Sequence, residues 1–177
     1  QVDWLFVLAG GGGGTGSACK ELHTALERYL SSTEACGRVV YIVSKPTGQE
    51  LLNPTISTNY SSLLSDVGDV PHLVIDNEKQ LQLLRGKVGM LNMFPAANST
   101  FAKLFHQVLK LADQSSPIQT FDTKDLERCL KTPGRLFLGS TIVRDPSDPD
   151  LGSTIFQGSL RGSPCPADTH SDPQLHC

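Results

Sequence analysis

The run Leu8-Ala9-Gly10-Gly11-Gly12-Gly13-Gly14-Thr15-Gly16-Ser17 constrains this chain more than any other segment. Val2 to Ala9 before it reads as a buried apolar strand. After it, Leu22, Ala25, Leu26, Tyr29 and Leu30 recur at helical spacing until Gly37. Strand, glycine turn and helix form one unit, and its glycines let main-chain N–H groups face inward with no Cβ in the way. The helix start adds a partial positive charge from its unsatisfied donors, so the guest that suits such a bend is an anion.

The alternation continues downstream. Arg38 to Val43 is β-branched and apolar and fits a second parallel strand, reached through a crossover helix. Leu51 to Asp66 reads as a helical segment, His72 to Asn77 as a third strand, and Glu78 to Arg85 as a further helix. Between Ser99 and Ala112 the residues Phe101, Leu104, Phe105, Val108, Leu109 and Ala112 share one face of a long helix, which the pattern predicts to be well buried. A turn at Ser115-Ser116-Pro117 leads to the acidic segment Phe121 to Leu126, a short helix, and a strand from Arg135 to Val143. From Arg144 onward Pro, Ser, Asp and Gly dominate, and a loose tail is expected beyond about residue 160. The class is α/β, a doubly wound parallel sheet.

With 177 residues and a net charge of -3, the chain can bury a core and offers no basic patch for nucleic acid or a membrane surface. No apolar run reaches the roughly 20 residues of a membrane span, and no secretory leader is visible. These features point to a cytoplasmic protein. The opening at Gln1, without Met and close to a strand, suggests that further sequence lies upstream. Cys19, Cys36, Cys129, Cys165 and Cys177 are scattered and odd in number, which reads as reduced thiols; with the five histidines they offer no metal-ligand spacing.

Three glycine-rich patterns compete for the bend. Gly11-x-Gly13-x-x-Gly16 satisfies the dinucleotide fingerprint, yet a glycine run matches it by chance. The acidic residue due about 20 positions on is also replaced by Val43-Ser44-Lys45. A Walker loop needs Gly-Lys-[Ser/Thr], and here Gly16 is followed by Ser17 and Ala18. The remaining pattern, Gly12-Gly13-Gly14-Thr15-Gly16-Ser17, resembles the phosphate loop of the tubulin/FtsZ superfamily of filament-forming GTPases. Collinear matches follow over roughly residues 3 to 143: Val43-Ser44-Lys45-Pro46, Ile75-Asp76-Asn77-Glu78, Phe94 to Asn98, and Asp122-x-x-Asp125.

The resemblance implies a three-layer Rossmann-like domain, truncated on its N-terminal side, that binds GTP or GDP with Mg2+ held by the phosphates. Residues 1–115 would be the latter part of that domain with its central helix. Residues 116–143 would carry an acidic loop, a short helix and the first strand of a following domain, and 144–177 a poorly ordered tail. Phosphates would sit over Gly11, Gly12, Gly13, Gly14, Thr15, Gly16 and Ser17, and the base among Asn77, Phe94 and Asn98. In FtsZ an Asp usually stands where this chain has Ser99, so base reading would lean on Asn98, as in tubulin. Glu50 lies near the ribose-contacting loop of the family but reads first as an exposed surface acid. Asp125, helped by Asp122, would act in trans on a neighbouring subunit's GTP, so the partner implied is a second copy in a head-to-tail filament. Thr120 replaces the family's Asn at the start of that motif. Two other readings stay open: a Rossmann-type NAD-binding oxidoreductase, and a non-catalytic tubulin-like binding module.

Overall fold

A computed structural model describes residues 4–31, 38–113 and 122–166. Four parallel strands lie side by side in chain order: β1 (Leu5–Gly10), β2 (Val39–Lys45), β3 (His72–Asp76) and β4 (Arg135–Leu136). Parallel neighbours require crossovers. These run through α1 (Cys19–Leu30), through α2 (Pro54–Asp66), and through the series α3 (Asn77–Leu84), α4 (Met93–Asp113) and α5 (Thr123–Leu130). The architecture is α/β and compatible with a Rossmann-like fold. The first three of the four strands read from residue pattern fall within a few residues of their expected places; Val2 and Asp3 lie outside the described residues.

β2 is the hub of the core because Val39 to Val43 are buried on both sides of the sheet. Val39, Tyr41 and Val43 face one way, against Cys19 and Leu30 of α1 and Leu63 and Val67 at the end of α2. Ile42 faces the other way, with Leu73, Phe101 of α4 and Cys165. Each aliphatic side chain removed from water in these layers contributes about 1.5–3 kcal/mol. Phe105 joins the second layer, edge-on to Phe6 at 5.1 Å and stacked with Phe101 at 5.8 Å.

Helix starts follow local chemistry. Asn53 accepts a hydrogen bond from the Thr55 N–H at 3.0 Å, with Pro54 in the first turn of α2. Asp76 ends β3 and caps α3 by accepting from the Lys79 N–H at 3.0 Å. α4 begins at Met93 rather than Ser99, because Pro95 is tolerated in a first turn, where no N–H donor is needed. Its burial is partial: Phe101 and Leu104 are buried, whereas Leu109 is 37% exposed.

Two expectations fail at the C-terminal side. The strand predicted from Arg135 to Val143 pairs only over Arg135–Leu136, where its partners are His72 and Leu73 of the same sheet. Beyond it, Leu138 pairs with Cys165 instead. The segment predicted as a loose tail contains α6 (Leu151–Gly162), followed by the buried residues Ser163 and Cys165. Its small polar groups are satisfied inside the protein: Ser163 Oγ donates to the Leu138 carbonyl, and the Cys165 N–H donates to Ser163 Oγ at 2.9 Å. The expected domain boundary at 115/116, Thr120, Phe121 and residues 167–177 lie outside the described residues.

His72 opens β3 and is 6% exposed, its Nδ1–H donating to the Val70 carbonyl at 2.8 Å. Burial holds its pKa below the ordinary 6.5, and nearby Arg135 acts in the same direction, against the opposing pull of that hydrogen bond. The unfolded chain therefore takes up a proton before the folded one does, and stability falls as pH drops below 6.5. Urea titrations between pH 7.5 and 5 should show this decline in the parent protein. His72→Asn, which keeps a donor near Nδ1, should flatten it.

Candidate functional site

The glycine bend leaves the exposed edge of the sheet at Gly10 and reaches α1 through a 3₁₀ turn at Gly16–Ala18. Its geometry depends on close approach, since none of Gly10 to Gly16 has a positive φ. A Cβ on Gly11 would lie 2.5 Å from the Tyr60 ring and 2.6 Å from the Ser44 carbonyl oxygen, inside any real contact distance. A Cβ on Gly16 would overlap the Gly10 carbonyl oxygen. By contrast, Gly13 and Gly14 face open space, with nothing within 4 Å of a would-be Cβ. The Gly11 N–H is spent on the Ser44 carbonyl at 2.9 Å. The N–H groups of Gly12, Gly14 and Thr15 make no hydrogen bond among the described residues, which leaves donors at the open part of the bend. Ser17 closes it by donating its hydroxyl to the Gly14 carbonyl at 2.7 Å.

Among the described residues, two hollows border this bend. Gly13, Thr15, Gly16 and Cys19 line the smaller, about 230 Å³. Burial raises the Cys19 thiol above its ordinary pKa, with Asp66 adding to the effect. Gly10 also borders a cavity of about 700 Å³ between the sheet and α4, lined by Ser44, Asn98, Phe101, Phe105 and His106. Phe94 does not share that cavity. It lines another of about 720 Å³, with Thr47, Glu50, Glu78, Gln82 and Arg85. Phe94 and Asn98, predicted to meet one base together, thus open onto different hollows beside the first turns of α4.

The bend and the Phe94 cavity are joined through the loop after β2. Pro46 packs against the positions of Gly11 and Gly12, and the next residue, Thr47, lines the Phe94 cavity. Asn59 of α2 secures the bend from beneath by donating its amide N–H to the Gly12 carbonyl at 3.1 Å. Lys45 Nζ meets Asp76 Oδ2 at 2.9 Å and ties the ends of β2 and β3 together. That pair fixes the start of α3, where Asn77 and Glu78 stand. Asn77 is half-buried and is not among the residues lining either large cavity.

Glu50 is local in action. Its Oε2 accepts from both the Thr47 N–H and the Thr47 hydroxyl at 2.8 Å, and these bonds hold its carboxyl below the usual range. The two candidate catalytic acids are likewise engaged: Asp122 Oδ1 accepts from the Asp125 N–H at 3.0 Å, and Asp125 Oδ2 accepts from the Asp122 N–H at 3.3 Å. This is a capping box that starts α5. Asp125 also pairs with Arg128 at 3.4 Å, an exposed contact of little energetic weight. Among the described residues no group of three or more His, Cys, Asp or Glu could hold a metal ion, and no helix is long and apolar enough to cross a membrane.

Residue pattern alone did not single out Glu78, Gln82 or Arg85, which line the cavity with Phe94. The hint available for Glu78 was its place directly after Asn77 at a strand-to-helix step. No protein-family model matches this sequence, and a search of curated proteins returns no match.

The open and closed glycines separate experimentally. Gly13→Ala puts a methyl into empty space and should leave thermal stability unchanged or slightly raised, by up to about 1 kcal/mol. Gly16→Ala should cost about 1–3 kcal/mol or more through forced backbone displacement. Denaturant midpoints of the two variants against the parent check the contrast.

Proposed function

We propose that this chain is part of a GTP-binding, filament-forming GTPase of the tubulin/FtsZ kind, which hydrolyses GTP to GDP at a site completed by a neighbouring copy. The observation that carries the reading is the bend itself: N–H groups at Gly12, Gly14 and Thr15 without a hydrogen bond among the described residues, and open Cβ positions at Gly13 and Gly14, at a strand-to-helix step. Amides so arranged suit a polyphosphate, with Mg2+ carried on its oxygens. The loop at Pro46–Thr47 then leads from the phosphates toward Phe94, an aromatic face 53% exposed and able to stack on a base. Asn98 and Asn77, the expected amide readers, stand on the flanking elements outside the Phe94 cavity, and reading that base would require it to reach beyond that cavity toward them.

In this reading the carboxylates of Asp122 and Asp125 serve the next subunit. Asp122 is exposed and Asp125 partly so, and they sit at the start of α5, away from their own chain's glycine bend in the order of elements. Asp125 would orient the attacking water and Asp122 would assist it. Turnover per molecule would rise with protein concentration, because one copy lacks a complete site.

A second reading is favoured by a specific observation. The reciprocal capping box gives both acids a full structural role. That suits a non-catalytic module that binds nucleotide or filament subunits without turnover.

Titration with GTP, ATP and NAD should rank GTP first, and preference for NAD would instead favour the oxidoreductase reading. Phosphate release at rising protein concentration then tests catalysis. Asp125→Asn keeps an acceptor for the Asp122 N–H, so α5 stays capped, and it should lower hydrolysis by about 10²-fold or more with binding intact. Hydrolysis equal to the parent's would assign the acids to the helix cap alone.

A further inference from the structure

The segment after α6 takes a place on the sheet that β4 would otherwise fill. β4 runs parallel to β3 with Arg135 beside His72 and Leu136 beside Leu73, and the His72 N–H donates to the Gly134 carbonyl at 3.0 Å. Parallel ladders space their bonds evenly, so each step of two residues along both strands brings the next donor to the next acceptor. Carried on in that register, the Asp76 N–H meets the Leu138 carbonyl. The structure holds those two groups apart. Asp76 donates instead to the Pro164 carbonyl at 3.0 Å, and the Leu138 carbonyl accepts from Ser163 Oγ. Two consecutive residues of the C-terminal segment thus stand between two groups that would otherwise bond to each other.

Side chains from α3 and β4 fasten the segment. Lys79 Nζ donates to the Leu160 carbonyl at 2.7 Å ahead of it, and Arg135 Nη2 to the Pro166 carbonyl at 2.8 Å behind it. Cys165 bridges to Leu138 in antiparallel sense and joins the buried cluster of Ile42, Leu73 and Phe101. The hold on the sheet is nevertheless short. Pro164 and Pro166 bring no N–H, and the Cys165 N–H is turned to Ser163 Oγ at 2.9 Å, so the segment builds a bridge and no ladder. Removing it would orphan neither Asp76 nor Leu138, because each satisfies the other in the continued register.

We propose that residues 160–166 form a displaceable strap: seated, it holds β4 off β3 beyond Leu136; released, it lets β4 zip onto β3 as far as the Asp76–Leu138 pair. The exchange reaches α3. Asp76 accepts from the Lys79 N–H that starts that helix and from Lys45 Nζ, and on release Lys79 loses its anchor at Leu160. The first turn of the helix that lines the Phe94 cavity is therefore set by the C-terminal segment, whatever that cavity binds. A partner that bound the free strap and not the seated one would shift the population toward the zipped sheet.

Thiol reactivity in the full chain reports release. Cys165 and Cys19 are 0% and 3% exposed, in the two separate clusters on opposite faces of the sheet. Native-state alkylation with N-ethylmaleimide, read by peptide mass spectrometry, should label Cys165 about 10-fold or more faster than Cys19, because release is local and exposure of Cys19 needs wider opening. Ser163→Ala removes the donor to Leu138 and the acceptor of the Cys165 N–H, and Lys79→Met removes the anchor at Leu160. Each should speed labelling of Cys165 by about 5- to 100-fold and leave Cys19 unchanged. Equal rates at the two thiols, or rates that the variants leave as they were, would overturn the strap. Amide hydrogen exchange in the parent and in Lys79→Met then tests the zipping: the Cys165 amide should exchange faster than the Asp76 amide, which passes from Pro164 to Leu138. Matching exchange at both amides would show a segment that frays with no strand taking its place, and would equally sink the proposal.

Discussion

The close approach of main chain at Gly11 and Gly16 is the constraint on which the rest of the site depends. At Gly16 the chain returns onto the carbonyl of Gly10, and at Gly11 it presses on the Tyr60 ring and the Ser44 carbonyl. A side chain at either place would push the bend off α2 and off the loop after β2. Because Asn59, Ile56, Pro46 and Ser44 all meet the bend, the ends of β1 and β2 and the face of α2 are held as one body. The open donors at Gly12, Gly14 and Thr15 owe their orientation to that clamp.

A second set of contacts steadies the far side of the site. The Lys45–Asp76 pair joins β2 to β3, and Asp76 also caps α3. Behind it, the Asp76 N–H donates to the Pro164 carbonyl at 3.0 Å, and Lys79 Nζ donates to the Leu160 carbonyl at 2.7 Å. The end of α6 and the segment that follows thus buttress the helix that carries Asn77 and Glu78. A region that looks expendable by composition is part of what positions the cavity. Arg135 adds to this by donating from Nη2 to the Pro166 carbonyl at 2.8 Å.

Much of the sheet was legible because its signals are local. The β-branched run Val39-Val40-Tyr41-Ile42-Val43 can satisfy itself only when buried on both faces, and Asn53-Pro54 and Asp76 announce helix starts through their own side chains. Asp122 and Asp125, read from the sequence as catalytic acids, form a capping box in the fold. Three features were illegible. β4 stops at Leu136 because Leu138 finds Cys165, a partner distant in the chain. The polar stretch around Ser163 is buried because Leu138 supplies an acceptor for its hydroxyl. Phe94 and Asn98 part company because one hollow is lined at the start of α4, with α3 and the 47–50 segment, and the other from Asn98 onward, with the sheet, a fact about neighbours and not about helical spacing.

By itself the amino-acid order determined an alternating parallel sheet, a bare glycine bend between strand and helix, and the caps that start its helices. These rest on backbone freedom, periodicity and side chains that act within a few residues of themselves. Only the tertiary structure decided which glycines are obligatory and which merely open, and that the 46–50 loop links the bend to the Phe94 cavity. It also decided that Glu78, set beside Gly48 from thirty residues away, faces that cavity. Such relations depend on where distant segments come to rest, and no local pattern encodes an empty volume.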